Sequence, residues 1–124
     1  VVMRRDNPLA ARDSICVNDL IGQPLFCSDQ SWNYEVKEWA GVRWPELTLA
    51  GTFRLSYNGS MFALEGLGLL LTFRHLIDCS PESGLAFIPL EPAQNTRLYL
   101  IRSKYGTFTP IAQKFFTKIN ESFR

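Results

Sequence analysis

Leu67-Gly68-Leu69-Leu70-Leu71-Thr72-Phe73 is the longest apolar run of the chain, and it decides the expected fold. A membrane-spanning helix needs roughly 18 apolar residues, so this run has the length of a strand instead. A strand without polar alternation is covered on both faces, which is typical of parallel sheets in α/β proteins. The run therefore predicts a buried strand inside a sheet flanked by helices.

Shorter apolar runs predict the other strands of this sheet. Turn-forming residues bound them, as Pro24 and Ser28-Asp29 do around the run Leu25–Cys27. The remaining predicted strands are Val1–Met3, Leu47–Ala50, Leu85–Leu90 and Leu98–Arg102. They alternate with helical patterns, which favours an α/β fold with a mixed or mostly parallel sheet.

A first helix is predicted over Ser31–Ala40. Its apolar residues fall on one face, at the positions Trp32, Val36, Trp39 and Ala40. Ser31 is the expected N-cap, and Gly41 is placed to end the helix.

A second helix is predicted near the end of the sequence, from Thr109 as N-cap and Pro110 as first helical residue to about Ser122. Its apolar stripe consists of Ile111, Ala112, Phe115, Phe116, Ile119 and Phe123. A short helix is also expected over Arg74–Ile77, and one helical turn over Leu9–Arg12.

The stretch Gly51–Glu65 has two interpretations. Phe53, Leu55 and Tyr57 alternate with polar residues ahead of Asn58-Gly59, which is the pattern of a strand and a hairpin turn. Alternatively, Thr52 caps a helix that ends at Gly66. The residue pattern alone leaves both open.

The composition narrows the function classes. The 124 residues are 46% hydrophobic and 20% charged, which suits one domain with one core. A net charge of +1 gives no basic excess for binding nucleic acid. Three cysteines without CxxC spacing favour reduced thiols in a cytoplasmic protein over a disulfide framework or a zinc site. Val1-Val2-Met3 has no signal-peptide layout and is interpreted as the middle of a longer chain.

Few residues offer catalytic chemistry. His75 is the single histidine and has no evident partner, and no Gly-x-Ser-x-Gly motif is present. Gly66-Leu67-Gly68 lacks the third glycine of a dinucleotide fingerprint and precedes a strand. Glu35 and Glu38 are expected on the solvated face of their helix. We therefore predict no enzymatic role, no cofactor and no metal.

Two places are candidates for binding a small molecule. Cys27-Ser28-Asp29 lies at the carboxyl end of a predicted strand, where ligands bind in open α/β sheets. Gly51-Thr52-Phe53 offers free backbone N–H groups if Thr52 begins a helix.

Four segments, in the right order, resemble LysR-type transcription regulators of bacteria. Asp6-Asn7-Pro8-Leu9-Ala10 resembles the family's D-H-P-L-A stretch, and Asn18–Phe26 resembles its x-D-L-x-x-x-P-L-I segment. Tyr57–Gly68 is similar to the segment that ends in Gly-x-Gly-Ile. Leu98–Phe116 is similar to the terminal strand and the following s-P-x-a-x-x-F helix.

The resemblance implies a type 2 periplasmic-binding-protein-like fold, with two lobes around a ligand cleft. Residues 1–92 would be the second lobe, and residues 93–124 the strand and helix that return toward the first. The winged helix-turn-helix of the family is absent from this sequence. Binding to DNA is therefore expected only through a module outside it.

The resemblance also favours the helical interpretation, a helix from Thr52 to Glu65 with Asn58-Gly59 inside it. Glycine in a helix costs about 1 kcal/mol relative to alanine. Family members contact effector at the two places proposed above. The expected ligand-binding residues are therefore Cys27, Ser28, Asp29, Gly51, Thr52, Phe53 and Asn58.

The function that follows is an effector-sensing domain, which binds a small metabolite and changes the regulator's hold on DNA. A homo-oligomer, most simply a dimer, is the expected assembly, without a membrane. The alternative is a fragment of a solute-binding protein that serves a transporter, and a small enzyme on the same fold is favoured least. With one lobe incomplete, this piece is expected to bind effector weakly by itself.

Overall fold

A five-stranded mixed sheet forms the centre of the protein in the computed structural model, which describes residues 1–123. Two of its pairings are parallel, that of β2 (Pro24–Ser28) with β3 (Thr48–Phe53) and that of β2 with β4 (Leu69–Leu70). The other two are antiparallel, that of β1 (Val2–Arg4) with β4 and that of β1 with β5 (Leu85–Phe87). The order across the sheet is β3-β2-β4-β1-β5.

Helices lie on both faces of this sheet. One of them is α4 Ser56–Leu64, and α1 is Val17–Leu20. A further helix, α5 Pro110–Ser122, contains no buried residue. Residues 29–40 form a continuous helical segment made of α2 Asp29–Ser31, a π-helical stretch Trp32–Val36 and α3 Lys37–Ala40. Three short segments form 3-10 helices: Pro8–Ala11, Gly41–Glu46 and Pro81–Ser83. The α/β fold with a mixed sheet flanked by helices is confirmed.

The apolar run around β4 is covered on both faces, as predicted. Leu69 and Leu71 join the core cluster beneath the helical segment 29–40, whereas Leu70 joins the cluster beneath α4. The hydrogen-bonded strand is shorter than the apolar run Leu67–Phe73, because β4 comprises only Leu69–Leu70. Beyond it, the N–H of Leu71 still donates to the carbonyl of Phe26 at 2.8 Å.

Two glycines permit the close contacts around β4. A Cβ on Gly68 would overlap the carbonyl oxygen of Pro24, so only glycine lets β4 approach β2 there. A Cβ on Gly59 would lie 2.7 Å from Cδ1 of Leu70, so glycine lets α4 pack onto the sheet. The cost of Gly59 in a helix is therefore offset by this packing.

The predicted helix Thr52–Glu65 was wrong at its start. Thr52 and Phe53 continue β3, where they pair with Cys27 and Ser28 of β2. Since this parallel ladder uses the backbone of residues 52 and 53, the helix begins only at Ser56. The alternation of Phe53 with the polar residues beside it correctly indicated a strand. Asn58-Gly59, however, lies inside α4 and forms no hairpin turn.

Two other predicted elements were also wrong. Residues 74–77 form turns rather than a helix. Leu98–Arg102 pairs with none of the described strands, and Leu98 and Ile101 are 91% and 86% exposed. An apolar run forms a strand only where another strand is available to pair with it. The final helix is confirmed, with the Thr109 hydroxyl accepting a hydrogen bond from the N–H of Ala112 at 3.3 Å.

No helix within residues 1–123 is long and apolar enough to cross a membrane.

Substituting Gly68 tests the close approach of β4 to β2. Gly68→Ala should lower the free energy of unfolding by about 1–3 kcal/mol, because the added methyl overlaps backbone that cannot move aside cheaply. Urea unfolding followed by circular dichroism measures this change. Gly106→Ala is the control, since an added Cβ there meets only the side chain of Ser103. Equal stability of Gly68→Ala and the parent chain would contradict the packing described here.

Candidate functional site

A cavity of about 660 Å³ opens at the carboxyl ends of the three parallel strands. β2 ends at Ser28, β3 ends at Phe53, and Leu71-Thr72-Phe73 follows β4. The carboxyl ends of neighbouring parallel strands lie along one edge of the sheet, and open α/β sheets bind ligands at that edge. The position of this cavity makes it the candidate functional site.

The cavity walls combine apolar and polar side chains. Strand ends, the first turns of the helical segment 29–40 and the loop after β5 all contribute. Its lining residues are Cys27, Ser28, Asp29, Gln30, Ser31, Glu35, Val36, Phe53, Arg54, Ser56, Leu71, Thr72, Phe73, Leu76, Leu90 and Gln94. A mostly apolar surface with a few polar groups is typical of small-molecule sites.

Ser28 positions the helical segment at the cavity. Its hydroxyl accepts a hydrogen bond from the N–H of Ser31 at 3.2 Å, so Ser28 is the N-cap. The predicted cap, Ser31, was wrong, because it already has helical backbone angles. Asp29 then fixes the next turn, since its carbonyl accepts from the Asn33 amide at 2.8 Å.

A second polar contact ties α4 to the end of β4. The hydroxyls of Ser56 and Thr72 lie 3.0 Å apart and share a hydrogen bond. Both residues line the cavity, so this bond fixes the part of the wall between α4 and the end of β4. Arg54, which precedes this contact along the chain, is exposed at the cavity.

Glu35 is the unusual group of the cavity wall. Its Oε2 is fully buried, and it has no hydrogen-bond partner among the described residues. The prediction that Glu35 lies on a solvated helix face was wrong, whereas Glu38 is exposed. Glu35 lies in the π-helical stretch Trp32–Val36. A π-helix does not repeat every 3.6 residues, so a 3.6-residue sequence pattern assigns the side chains of this stretch to the wrong face.

The Cys27 thiol is neutral at this site. Burial raises the pKa of Cys27 to about 12, and the nearby negative charge of Glu35 adds to this rise. The thiol is 1% exposed and remains protonated at neutral pH, so it is no nucleophile.

The structure brings together four of the residues predicted to bind ligand: Cys27, Ser28, Asp29 and Phe53. Gly51, Thr52 and Asn58 do not line this cavity. Thr52 and Asn58 are exposed, and Thr52 lies in β3 rather than at a helix N-terminus. Their role in ligand binding therefore stays a prediction. The helix N-terminus at Thr52, which supported that prediction, is not formed.

Sequence reasoning missed several lining residues. Thr72 and Phe73 were predicted to lie inside the strand Leu67–Phe73, whereas β4 ends at Leu70, so the rule that ligands bind beyond strand ends did not point to them. Arg54 and Ser56 were hidden because β3 was predicted to end too early. Glu35 left no signal in the sequence.

A smaller cavity, of about 400 Å³, borders Phe73 on the side of the loop 74–79. His75, the single histidine, lies there on an exposed turn with φ of 68°. Within the described part of the chain, no three His, Cys, Asp or Glu residues are grouped so as to hold a metal ion.

Comparison with known proteins supports the fold. No family model and no curated protein matches the sequence. Among solved structures, HinK, a LysR family transcriptional regulator from Pseudomonas aeruginosa, matches with a TM-score of 0.68 at 19% identity. The match covers 98% of this chain and 43% of HinK, so the chain spans less than half of that regulator. The motif resemblance to LysR-type regulators thus coincides with a shared fold.

Two serine substitutions test which residue caps the helical segment. Ser28→Ala should lower the free energy of unfolding by about 1 kcal/mol, because the N–H of Ser31 loses its acceptor. Ser31→Ala should be nearly neutral, since its hydroxyl caps nothing. Urea unfolding of both variants measures the difference. A larger loss for Ser31→Ala would restore the capping assignment made from the sequence.

Proposed function

We propose that this chain is part of the effector-binding domain of a LysR-type transcription regulator, and that the cavity at the ends of β2, β3 and β4 holds the effector. The observation that carries the proposal is this cavity, at the strand edge where open α/β sheets bind ligands. Its volume of about 660 Å³ suits a small metabolite. The fold shared with HinK supports the regulatory context.

In this proposal the fold is of the type 2 periplasmic-binding-protein kind, with residues 1–92 as the second lobe. The segment that leaves this lobe starts at the cavity, where Gln94 contributes to the lining. Trp39 holds this start through a hydrogen bond from its Nε1 to the carbonyl of Pro92, at 2.8 Å. Residues 93–124 then run toward the first lobe. Ile111 and Phe115 of α5, 83% and 54% exposed, are apolar surface that this lobe would cover.

Effector binding regulates through a difference in affinity. A ligand shifts an equilibrium between two lobe arrangements only if it binds one arrangement more tightly. The polar strand ends are suited to this, because Ser28 and the Ser56–Thr72 pair belong to elements that a facing lobe would meet across the cleft. Contact with DNA belongs to a helix-turn-helix module outside this sequence, in a cytoplasmic protein without a catalytic step or a cofactor.

We further propose a homo-oligomer, supported by the outer face of α4. This helix packs its small residues, Gly59, Ser60 and Ala63, against the sheet. Its larger apolar side chains, Tyr57 and Met61, are 70% and 38% exposed. Exposed apolar side chains one turn apart on a helix are suited to contact another protein surface. A purely monomeric full-length protein in analytical ultracentrifugation would contradict this.

The cavity is tested by blocking it. We expect at least one compound from a defined mixture of amino acids, carboxylic acids, amines and alcohols to bind in saturation-transfer NMR. Thr72→Phe should weaken this binding at least tenfold, because the new ring occupies the cavity between strand ends. Affinity should be weaker than micromolar, since this chain supplies one wall of the proposed cleft.

Thr48→Phe is the matched control, at the opposite end of β3 and outside the cavity lining. It should bind the same compound as the parent chain does. Binding that survives Thr72→Phe, or chemical-shift changes remote from Ser28 and Phe53, would refute the assignment of this cavity.

A further inference from the structure

We infer that the ligand of this cavity is an uncharged molecule with an aromatic or branched apolar body, and that Phe73 and Leu76 recognise this body. The inference rests on the proposed function and names the chemical class of the effector. It follows from two exposed apolar side chains of the cavity wall and from the balance of the charges around the cavity.

The loop that follows β4 supplies the two apolar side chains. Phe73 and Leu76 line the cavity, and they are 46% and 56% exposed. Val36 and Leu71 belong to the same wall and are buried. Removing apolar surface from water is favourable in proportion to the area covered. A ligand therefore gains most from this wall when its own body is apolar.

The backbone of this loop separates apolar from polar side chains. Arg74 and His75 line the smaller cavity, whereas Leu76 lines the larger one. The backbone turns at His75, whose φ of 68° is uncommon for a residue other than glycine. Such a conformation is unfavourable and persists where the surrounding structure requires it, often at functional sites. The conformational cost at His75 thus supports a role in binding for Leu76, the residue that it places at the larger cavity.

The charges around the cavity balance each other. Asp29 and Arg54 line it, both are exposed, and neither belongs to a salt bridge within residues 1–123. Water screens both charges, and their opposite signs offset each other. Oε2 of Glu35 is buried within the wall, so a ligand in the open cavity does not reach it. A charged ligand would lose hydration against the apolar wall without gaining a buried partner of opposite charge.

Neutral hydroxyls meet the polar end of such a ligand. The Ser28 hydroxyl accepts from the N–H of Ser31, which leaves its own proton to donate. In the pair formed by Ser56 and Thr72, one hydroxyl donates to the other, and the second proton is left to donate. These donors suit a hydroxyl or carbonyl oxygen of the ligand. Two hydroxyl protons do not compensate for removing a full charge from water.

The experiment compares three phenyl compounds on the parent chain by ¹H–¹⁵N NMR titration at pH 7: 2-phenylethanol, phenethylamine and phenylacetate. We expect 2-phenylethanol to bind at least threefold more tightly than either charged compound. Shifts of the Ser28, Phe53 and Thr72 amides identify binding in the cavity. Nuclear Overhauser effects between the phenyl ring and the Leu76 methyl groups identify the recognised body, and they require no variant.

Leu76→Ala then assigns the apolar contact to one side chain. It should weaken 2-phenylethanol binding at least threefold, because the ligand covers less apolar surface. Leu67→Ala is the matched control, since Leu67 is also 56% exposed but does not line the cavity. It should leave the affinity unchanged.

The failures of the inference and of the proposed function are distinguishable. Tighter binding of a charged compound at the cavity amides, or equal affinities of Leu76→Ala and Leu67→Ala, overturns the inference while the cavity remains a binding site. The inference also fails alone if none of the three compounds shifts the cavity amides but another compound of the mixture described above binds there. If nothing binds in the cavity, the inference and the proposed function fall together.

Discussion

The parallel pairing of β2 with both neighbours is the constraint on which the rest of the structure depends. It requires β4 to approach β2 so closely that only glycine fits at position 68, against the carbonyl of Pro24. This pairing places the carboxyl ends of β2, β3 and β4 along one edge, and the cavity lies there. It also places Leu69 and Leu70 on opposite faces, so that a single short strand joins the two core clusters.

The sequence predicted those elements whose stability comes from local patterns or from burial. The sequence pattern correctly predicted three elements: the apolar run around β4, the strand β2 and the capped helix α5. In each of them the residue types fit a single kind of structure, either a covered strand or an amphipathic helix. Leu98–Arg102 was mistaken for a strand because strand formation depends on a partner, which a run of apolar residues cannot specify. The end of β3 was missed for a similar reason, since its pairing with β2 determines whether residues 52 and 53 are extended.

The candidate site was predictable where it follows from topology. Ser28 and Asp29 were found by asking which residues follow a buried strand. Thr72 was not found in this way, because the apolar run continues to Phe73 and hides the end of β4 at Leu70. Glu35 was not predictable, because a π-helical stretch turns it from the solvated face toward the cavity. This residue is also the one with an unsatisfied buried oxygen. Local departures from regular geometry commonly mark functional positions.

The proposed role of this chain is to sense an effector on behalf of a DNA-binding module, and sequencing the gene upstream of Val1 tests this role most directly. The proposed role predicts a continuous reading frame that opens with a helix-turn-helix. A secretory signal peptide in that position would contradict the account, and it would favour a solute-binding protein of a transporter instead.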